Sequence, residues 1–279
     1  MLMRGTAYQL ALLFVFAVFA EELHAAETFK DCAGCPVMAV IAPASFEMGS
    51  PPSAVEGNGD EGPVHRVTFA KSFAVGIYEV TRGEFTRFVA DTGYDTGNEC
   101  QVVRDEHWQV VPGRSWKNPG FRQTDAEPVV CVSWLDATKY IEWLSARAGR
   151  KFRLLSESEW EYLAVTGSAG HALSPKTANY KAADAWQYTA PVGSFGPDAL
   201  GLYDVLGNVW EWLQDCYFGS YEGTPADGSA RTVGCTGKRS VRGGSYGDTA
   251  ELLRPTYRLR GPEGGRYVTL GFRLARNLD

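Results

Sequence analysis

The 279-residue sequence predicts an α+β fold. Three capped amphipathic helices fall in its front half. Short apolar runs separated by glycine-rich turns fill its back half. Strands and helices nowhere alternate as a parallel βαβ sheet would require. Apolar residues make up 44% of the chain and aromatic ones 13%, enough for a sizeable core. The 31 glycines follow no period, so they mark tight turns rather than collagen or a linker. A net charge of −6 offers no basic face to phosphate and argues against nucleic acid as a partner.

The first 26 residues read as a signal peptide: Arg4 supplies the positive start, Leu10 to Ala20 an apolar run too short to span a bilayer comfortably, and Ala20, Ala25 and Ala26 small residues for cleavage. That reading makes the protein exported, periplasmic or secreted, with no stable membrane span after cleavage. No composition shift marks a linker, so residues 27–279 are expected to form one domain. In an oxidising compartment the six cysteines read as a disulfide framework. Cys32 and Cys35, in "DCAGCP", are surrounded by no βαβ unit, which favours a local staple over a redox motif. No second C-x-x-C or H-x-x-x-H exists to complete a zinc site. Cys216 and Cys235 flank a polar loop and fit as a pair, which leaves Cys100 and Cys131 for each other; spacing alone does not fix that connectivity.

Along the mature chain, Pro36 to Ser50 reads as strand, turn, strand about Pro43. A polar loop from Pro51 to Gly62 leads into "VHRVTFAKSFAVGIYEV", alternating and β-branched as strands are. The first helix opens on a capping box of Thr81 and Glu84 and aligns Phe85, Phe88 and Val89. The second opens at Ser133, spaces Ala137, Tyr140, Ile141 and Leu144 along one face, and stops at Gly149. The third opens on Ser156 and Glu159 and ends at Gly167; from there to residue 279 short strands are expected, finishing in "TLGFRLARN".

Within that back half, "GLYDVLGNVWEWLQDC" sets two acids, Asp204 and Glu211, among glycines and large apolar residues. Buried unpaired, such carboxylates are costly. Together with "RLLSESEWEYLA", "TAPVGSF", "RGGSY" and "LGFRLAR", this stretch resembles the formylglycine-generating enzyme (sulfatase-modifying factor) family, in order and approximate spacing from about Val37 to Arg276. The resemblance implies a fold related to C-type lectins, poor in regular secondary structure and steadied by calcium. It implies that Asp204 and Glu211 ligate one calcium through carboxylates, with Gly207 and Val209 contributing carbonyls. A second ion would take the side chains of Asn179 and Asp184 and the carbonyls of Tyr180 and Trp186. Hard oxygens on glycine-rich turns suit that ion. Trp210 and Trp212 then need no role beyond packing.

The family's catalytic part does not carry over. Its members use two cysteines just beyond "GGSY" to bind copper(I) and oxidise a sulfatase cysteine. Here Asp248 and Leu253 occupy those positions and no cysteine follows Cys235, so no copper is expected. The related ergothioneine-pathway sulfoxide synthases need a three-histidine iron site from an additional domain. His24 lies in the signal segment, and His65, His107 and His171 are scattered. A third branch resembles the pyoverdine-maturation oxidase, an exported protein that lacks the thiol pair and is implicated in oxidising a peptide siderophore precursor. On that resemblance Asp248 and Glu251 are candidate general bases, and Arg254, Tyr257 and Arg258 candidate contacts to an anionic or phenolic ligand. Arg242 and Arg273 are expected to lock the core through carboxylate pairs. The competing reading is a non-catalytic lectin-like module for a peptide, glycan or envelope partner, with Tyr217, Phe218, Tyr221, Tyr246, Tyr257 and Tyr267 available for stacking or for the core.

Overall fold

In the computed structural model, which describes residues 26–51, 59–104, 107–170, 172–181 and 186–278, all three helices start where their caps predict. Helix α1 (Arg82–Thr92) begins behind Thr81, whose hydroxyl accepts from the Glu84 backbone N–H while Glu84 accepts from Thr81 N–H at 2.9 Å. Helix α2 (Trp134–Ala148) repeats the box with Ser133 and Asp136, and Gly149 ends it in the left-handed conformation that only glycine adopts without strain. Helix α3 (Glu157–Gly167) repeats it with Ser156 and Glu159, but keeps Gly167 inside the helix and ends at Ser168. The signal segment, apart from Ala26, lies outside the described residues, as do His171 and Asp184.

A five-stranded antiparallel sheet separates these helices. Its order is β1 (Thr28–Phe29), β2 (Met38–Ile41), β5 (Phe73–Glu79), β13 (Arg273–Asn277), β8 (Arg153–Leu154). Met38, Ala74, Phe272 and Leu274 pack with Phe85, Phe88, Tyr140 and Leu144 of α1 and α2. Ala39, Val75 and Ala275, one residue along in each strand, pack instead with Trp160 and Leu163 of α3. The period of two along these strands thus feeds two separate clusters.

A second sheet runs β11 (Leu259–Pro262), β10 (Lys238–Arg242), β9 (Trp210–Cys216), β12 (Leu270–Gly271), with only the β9–β12 pair parallel. Two hairpins complete the strands: β3 (Ala44–Met48) with β4 (His65–Phe69), and β6 (Glu99–Arg104) with β7 (His107–Pro112). The β6–β7 hairpin was not visible in the sequence, because its tip lacks the Asn-Gly or Asp-Gly signal that marks tight turns. All six cysteines are paired, as Cys32–Cys35, Cys100–Cys131 and Cys216–Cys235. Such pairing fits an oxidising compartment. Among the described residues, no helix is long and apolar enough to cross a membrane.

Candidate functional site

Helix α3 meets the second sheet along a buried seam of arginines and carboxylates. Arg242, fully buried on β10, donates to Glu157 at 3.0 Å, to Glu161, to the Tyr221 hydroxyl at 2.6 Å and to the carbonyls of Pro255 and Tyr257. Arg258 grips Glu157 with two bonds of 2.7 and 2.9 Å and donates to the carbonyls of Asp60 and Phe218. Burial alone would raise the Glu157 carboxyl, but Arg258 and Arg242 overcome it and hold the group down at about 2. The expected core role of Arg242 is what the structure shows. Arg258, a candidate ligand contact from sequence, has its guanidinium committed to the protein. Arg254 pairs with Glu61 at 2.8 Å and lies over the Tyr257 ring.

Beside this seam, residues 243–248 fold over the start of β9. Trp210 donates its indole N–H to Asp248 Oδ2 at 2.8 Å, and the Ser245 hydroxyl donates to the same oxygen. The Tyr257 ring lies 6.0 Å from that of Trp210, and Lys181 reaches the Asp248 carbonyl through its backbone N–H. Asp248 is half-buried; burial pushes its carboxyl above the ordinary range, against the two side-chain donors. Glu251, in contrast, stands in solvent at a single 3-10 turn (Ala250–Leu253), and a hydrogen bond with the Thr249 side chain holds its carboxyl low. The structure therefore gives Asp248 a formed environment, with Trp210 and Ser245 as partners that sequence had assigned only to packing or to the family motif. Tyr221 and Tyr246 are buried, 3% and 8% exposed, so the core reading holds for both.

The loop leading into β9 is conformationally unusual. Asp204 and Asn208 both take φ of 56°, a left-handed backbone that non-glycine residues seldom adopt. Gly207 between them takes φ 92°, and a Cβ there would stand 2.5 Å from the Asn179 carbonyl, so glycine is required. Asn208 N–H donates to that same carbonyl at 2.8 Å, and the Asn179 amide donates to Tyr188 O and Asn208 Oδ1. The two segments assigned to cation ligands are thereby stitched together. Tyr180 is half-buried and Trp186 is 42% exposed.

The two acids expected to ligate calcium differ in their protein partners. Glu211 accepts from Arg273 at 2.9 Å and from the Trp160 indole at 3.0 Å, so neither oxygen is bare. Asp204 uses only Oδ2, on Gly193 N–H at 2.8 Å; Oδ1 is buried without a protein partner, as is Asn179 Oδ1. Glu79, which sequence did not single out, is 1% exposed with both oxygens unpartnered. Burial pushes Glu79 well up, with the Asp204 charge adding to it, and pushes Asp204 up to about 6, with the Glu211 charge adding to it. Arg273 is thus the one guanidinium these three carboxylates share by proximity. Among the described residues no three His, Cys, Asp or Glu side chains close into a metal-holding group. What the loop offers a hard cation is one free oxygen each from Asp204 and Asn179, with backbone carbonyls nearby.

Residues 24–278 match the family described as sulfatase-modifying factor enzyme 1-like domain. The chain is 32% identical to the inactive C-alpha-formylglycine-generating enzyme 2 of Mus musculus, over 86% of this chain and 85% of that one. It is 33% identical to the formylglycine-generating enzyme of Thermomonospora curvata, over 67% and 74%. A serine/threonine-protein kinase pkn1 of Chlamydia pneumoniae is 34% identical over 87% of this chain, which spans only 38% of that kinase. Among solved structures, PvdO from Pseudomonas aeruginosa superposes with a TM-score of 0.79 at 36% identity, over 91% of this chain and 99% of that one.

Proposed function

Because the chain belongs to the sulfatase-modifying factor enzyme 1-like domain family yet has all six cysteines in disulfides, we propose that it is an exported oxidase of a peptide or peptide-siderophore substrate, working without a copper–thiolate centre. The observation that carries this reading is the Asp248 corner, a carboxylate held by Trp210 and Ser245 at the position that the family resemblance gives to the first thiol. Likeness to PvdO supports it. In this reading Asp248 takes a proton from a phenolic or amide group of the substrate as general base, and two electrons and two protons pass to dioxygen as hydrogen peroxide. Tyr257 and Arg254 flank the corner as substrate contacts, whereas the committed Arg258 holds the seam. Of the two candidate bases, the solvated Glu251 is the weaker. Export, to the periplasm or outside the cell, belongs to the same reading and is supported by the three disulfides.

Calcium belongs to the same proposal as a structural ion. Asp204 Oδ1 and Asn179 Oδ1 are buried and unpartnered, which fits a hard cation. Asp204, Asn179 and the carbonyls of Gly207, Val209, Tyr180 and Trp186 would hold one or two ions, with Glu211 positioned beside them by Arg273. When bound, the ion supplies positive charge and rigidity to the loop; no reaction step passes through it.

The test is oxygen uptake and peroxide release on adding a tyrosine-containing peptide, with Asp248→Asn as control. No uptake with any such peptide rules the oxidase out. Aldehyde formation on a C-x-P-x-R peptide with copper is expected to fail. A second reading, a binding module without catalysis, is favoured by one finding: a relative covering most of the chain carries "inactive" in its name. That reading predicts saturable ligand binding without oxygen consumption.

A further inference from the structure

The β6–β7 hairpin carries an apolar face that, among the described residues, is covered only in part, by Tyr267 against Trp108. Its register sets Val103 opposite Trp108 and Gln101 opposite Val110, so these four side chains share one side of the ribbon. Val103, Trp108 and Val110 are 54%, 47% and 56% exposed, three of the few large apolar side chains so exposed among the described residues. The opposite side is used: Cys100 and Val102 pack with Phe121, Cys131 and Val268. Moreover, the hairpin is a two-stranded sheet on its own. Gln101 on β6 bridges to Tyr267, but among the described residues no strand lies along the other edge of β7. An open strand edge beside alternating exposed apolar groups is the arrangement that accepts an added strand.

The hairpin is also fixed and close to the candidate site. Cys100–Cys131 ties β6 to the segment that leads into α2. Trp108 packs edge-on against Tyr267 with ring centroids 5.2 Å apart. The next residue, Val268, accepts at its carbonyl from the Tyr246 hydroxyl at 3.2 Å, and Tyr246 lies two residues before Asp248. A continuous path of contacts therefore joins the open edge to the Asp248 corner.

We infer that β7 is the docking edge for the substrate, an extended peptide that adds as a third strand and sets apolar side chains at alternate positions against Trp108 and Val110. This rests on the peptide-substrate reading above. Main-chain hydrogen bonds to the β7 edge supply affinity independent of side chains, and the apolar face selects alternating sequences. The disulfide holds the edge ready, so little ordering is needed on binding.

The experiment uses the full chain and a fluorescein-labelled ten-residue peptide with Val, Tyr and Phe at alternate positions and lysines at both ends. Controls are the same peptide with alternate amides N-methylated and one with its apolar residues grouped. The wild-type protein is expected to bind the first peptide at least tenfold more tightly than either control. Trp108→Ala and Val103→Glu, each checked for an unchanged melting temperature and intact disulfides, are expected to weaken it at least tenfold. Val233→Ser, at an exposed apolar residue outside the hairpin, is expected to leave the affinity unchanged. Equal affinity in wild type and both hairpin variants, or no binding to the wild type, overturns the inference. A dimer in sedimentation that Trp108→Ala dissolves also overturns it, by assigning the face to a second copy. Failure of the two readings is separable. Hairpin-dependent binding without oxygen uptake sinks the oxidase and keeps the docking edge, whereas uptake with an unchanged KM in Trp108→Ala does the reverse.

Discussion

Trp210 and Asp248 meet indole to carboxylate at 2.8 Å, joining the start of the central β9 strand to the loop that follows the Gly243–Gly244 turn. The bond holds one carboxylate oxygen and leaves the other free of any side-chain partner among the described residues. Such a group can be both oriented and reactive, which the first prediction exploits.

Asp248→Asn is expected to lower turnover by about 100-fold or more, the scale of a lost general base, while leaving the melting temperature within a few degrees. Because burial raises the Asp248 carboxyl, the wild-type rate is expected to fall on acidification at a pH above that of an ordinary aspartate. The base acts only when ionised, so activity lies on the alkaline side. A pH–kcat/KM profile measures this; a flat profile from pH 4 to 7 refutes it.

Glu157 stands between two arginines, and removing its charge leaves Arg242 and Arg258 buried without their shared partner. Glu157→Gln is expected to cost roughly 3–5 kcal/mol, the range for breaking a buried pair. The pH dependence has a definite sign. A carboxyl lowered in the fold to about 2 stabilises above its unfolded value near 4.5, and loses that contribution as pH falls toward 2. Denaturant titrations at pH 2, 4 and 7 should show wild type and variant converging only at the lowest pH.

Calcium is expected to raise the melting temperature of chelator-treated protein. At a hundredfold excess over Kd, a site on the native state alone contributes about 2.7 kcal/mol. Asp204→Ala should abolish the shift. Equal melting curves in chelator and in millimolar calcium would remove the structural ion from the account.

The Cys100–Cys131 bridge closes a loop of 31 residues. Replacing both cysteines by serine is expected to cost about 3–4 kcal/mol on the chain-entropy account. Because the bridge also fixes the β6–β7 hairpin, hydrogen exchange should quicken in Glu99–Pro112 more than in β9. Uniform exchange across both would show that the hairpin is held by other contacts.

How far the sequence carried depended on the range of the interaction involved. Helix starts were legible because Thr81, Ser133 and Ser156 sit within three residues of the acids that complete their boxes. Compartment and neighbourhood suggested the cysteine pairs but left their connectivity open, and the structure supplies it. Glu79 escaped notice because one acid ending a strand resembles any solvated edge residue. Only its pairing with Arg273 in β13 reveals that it faces the interior. Arg258, a candidate ligand contact from sequence, gave no sign of its place in the seam for the same reason: its partner Glu157 lies 101 positions away. The Asp248 position was legible through family spacing, but its indole partner was not, since Trp210 reads equally well as packing.

The placing of β13 inside the first sheet, between β5 and β8, governs when the protein can become itself. Until Arg273–Asn277 leaves the ribosome, β5 lacks a neighbour on one side and the Glu211 carboxylate lacks its guanidinium. Pairing so remote along the chain is slow to form. A nascent polypeptide without this strand leaves β5 and β8 unjoined, and completes its first sheet only once its last strand has been made.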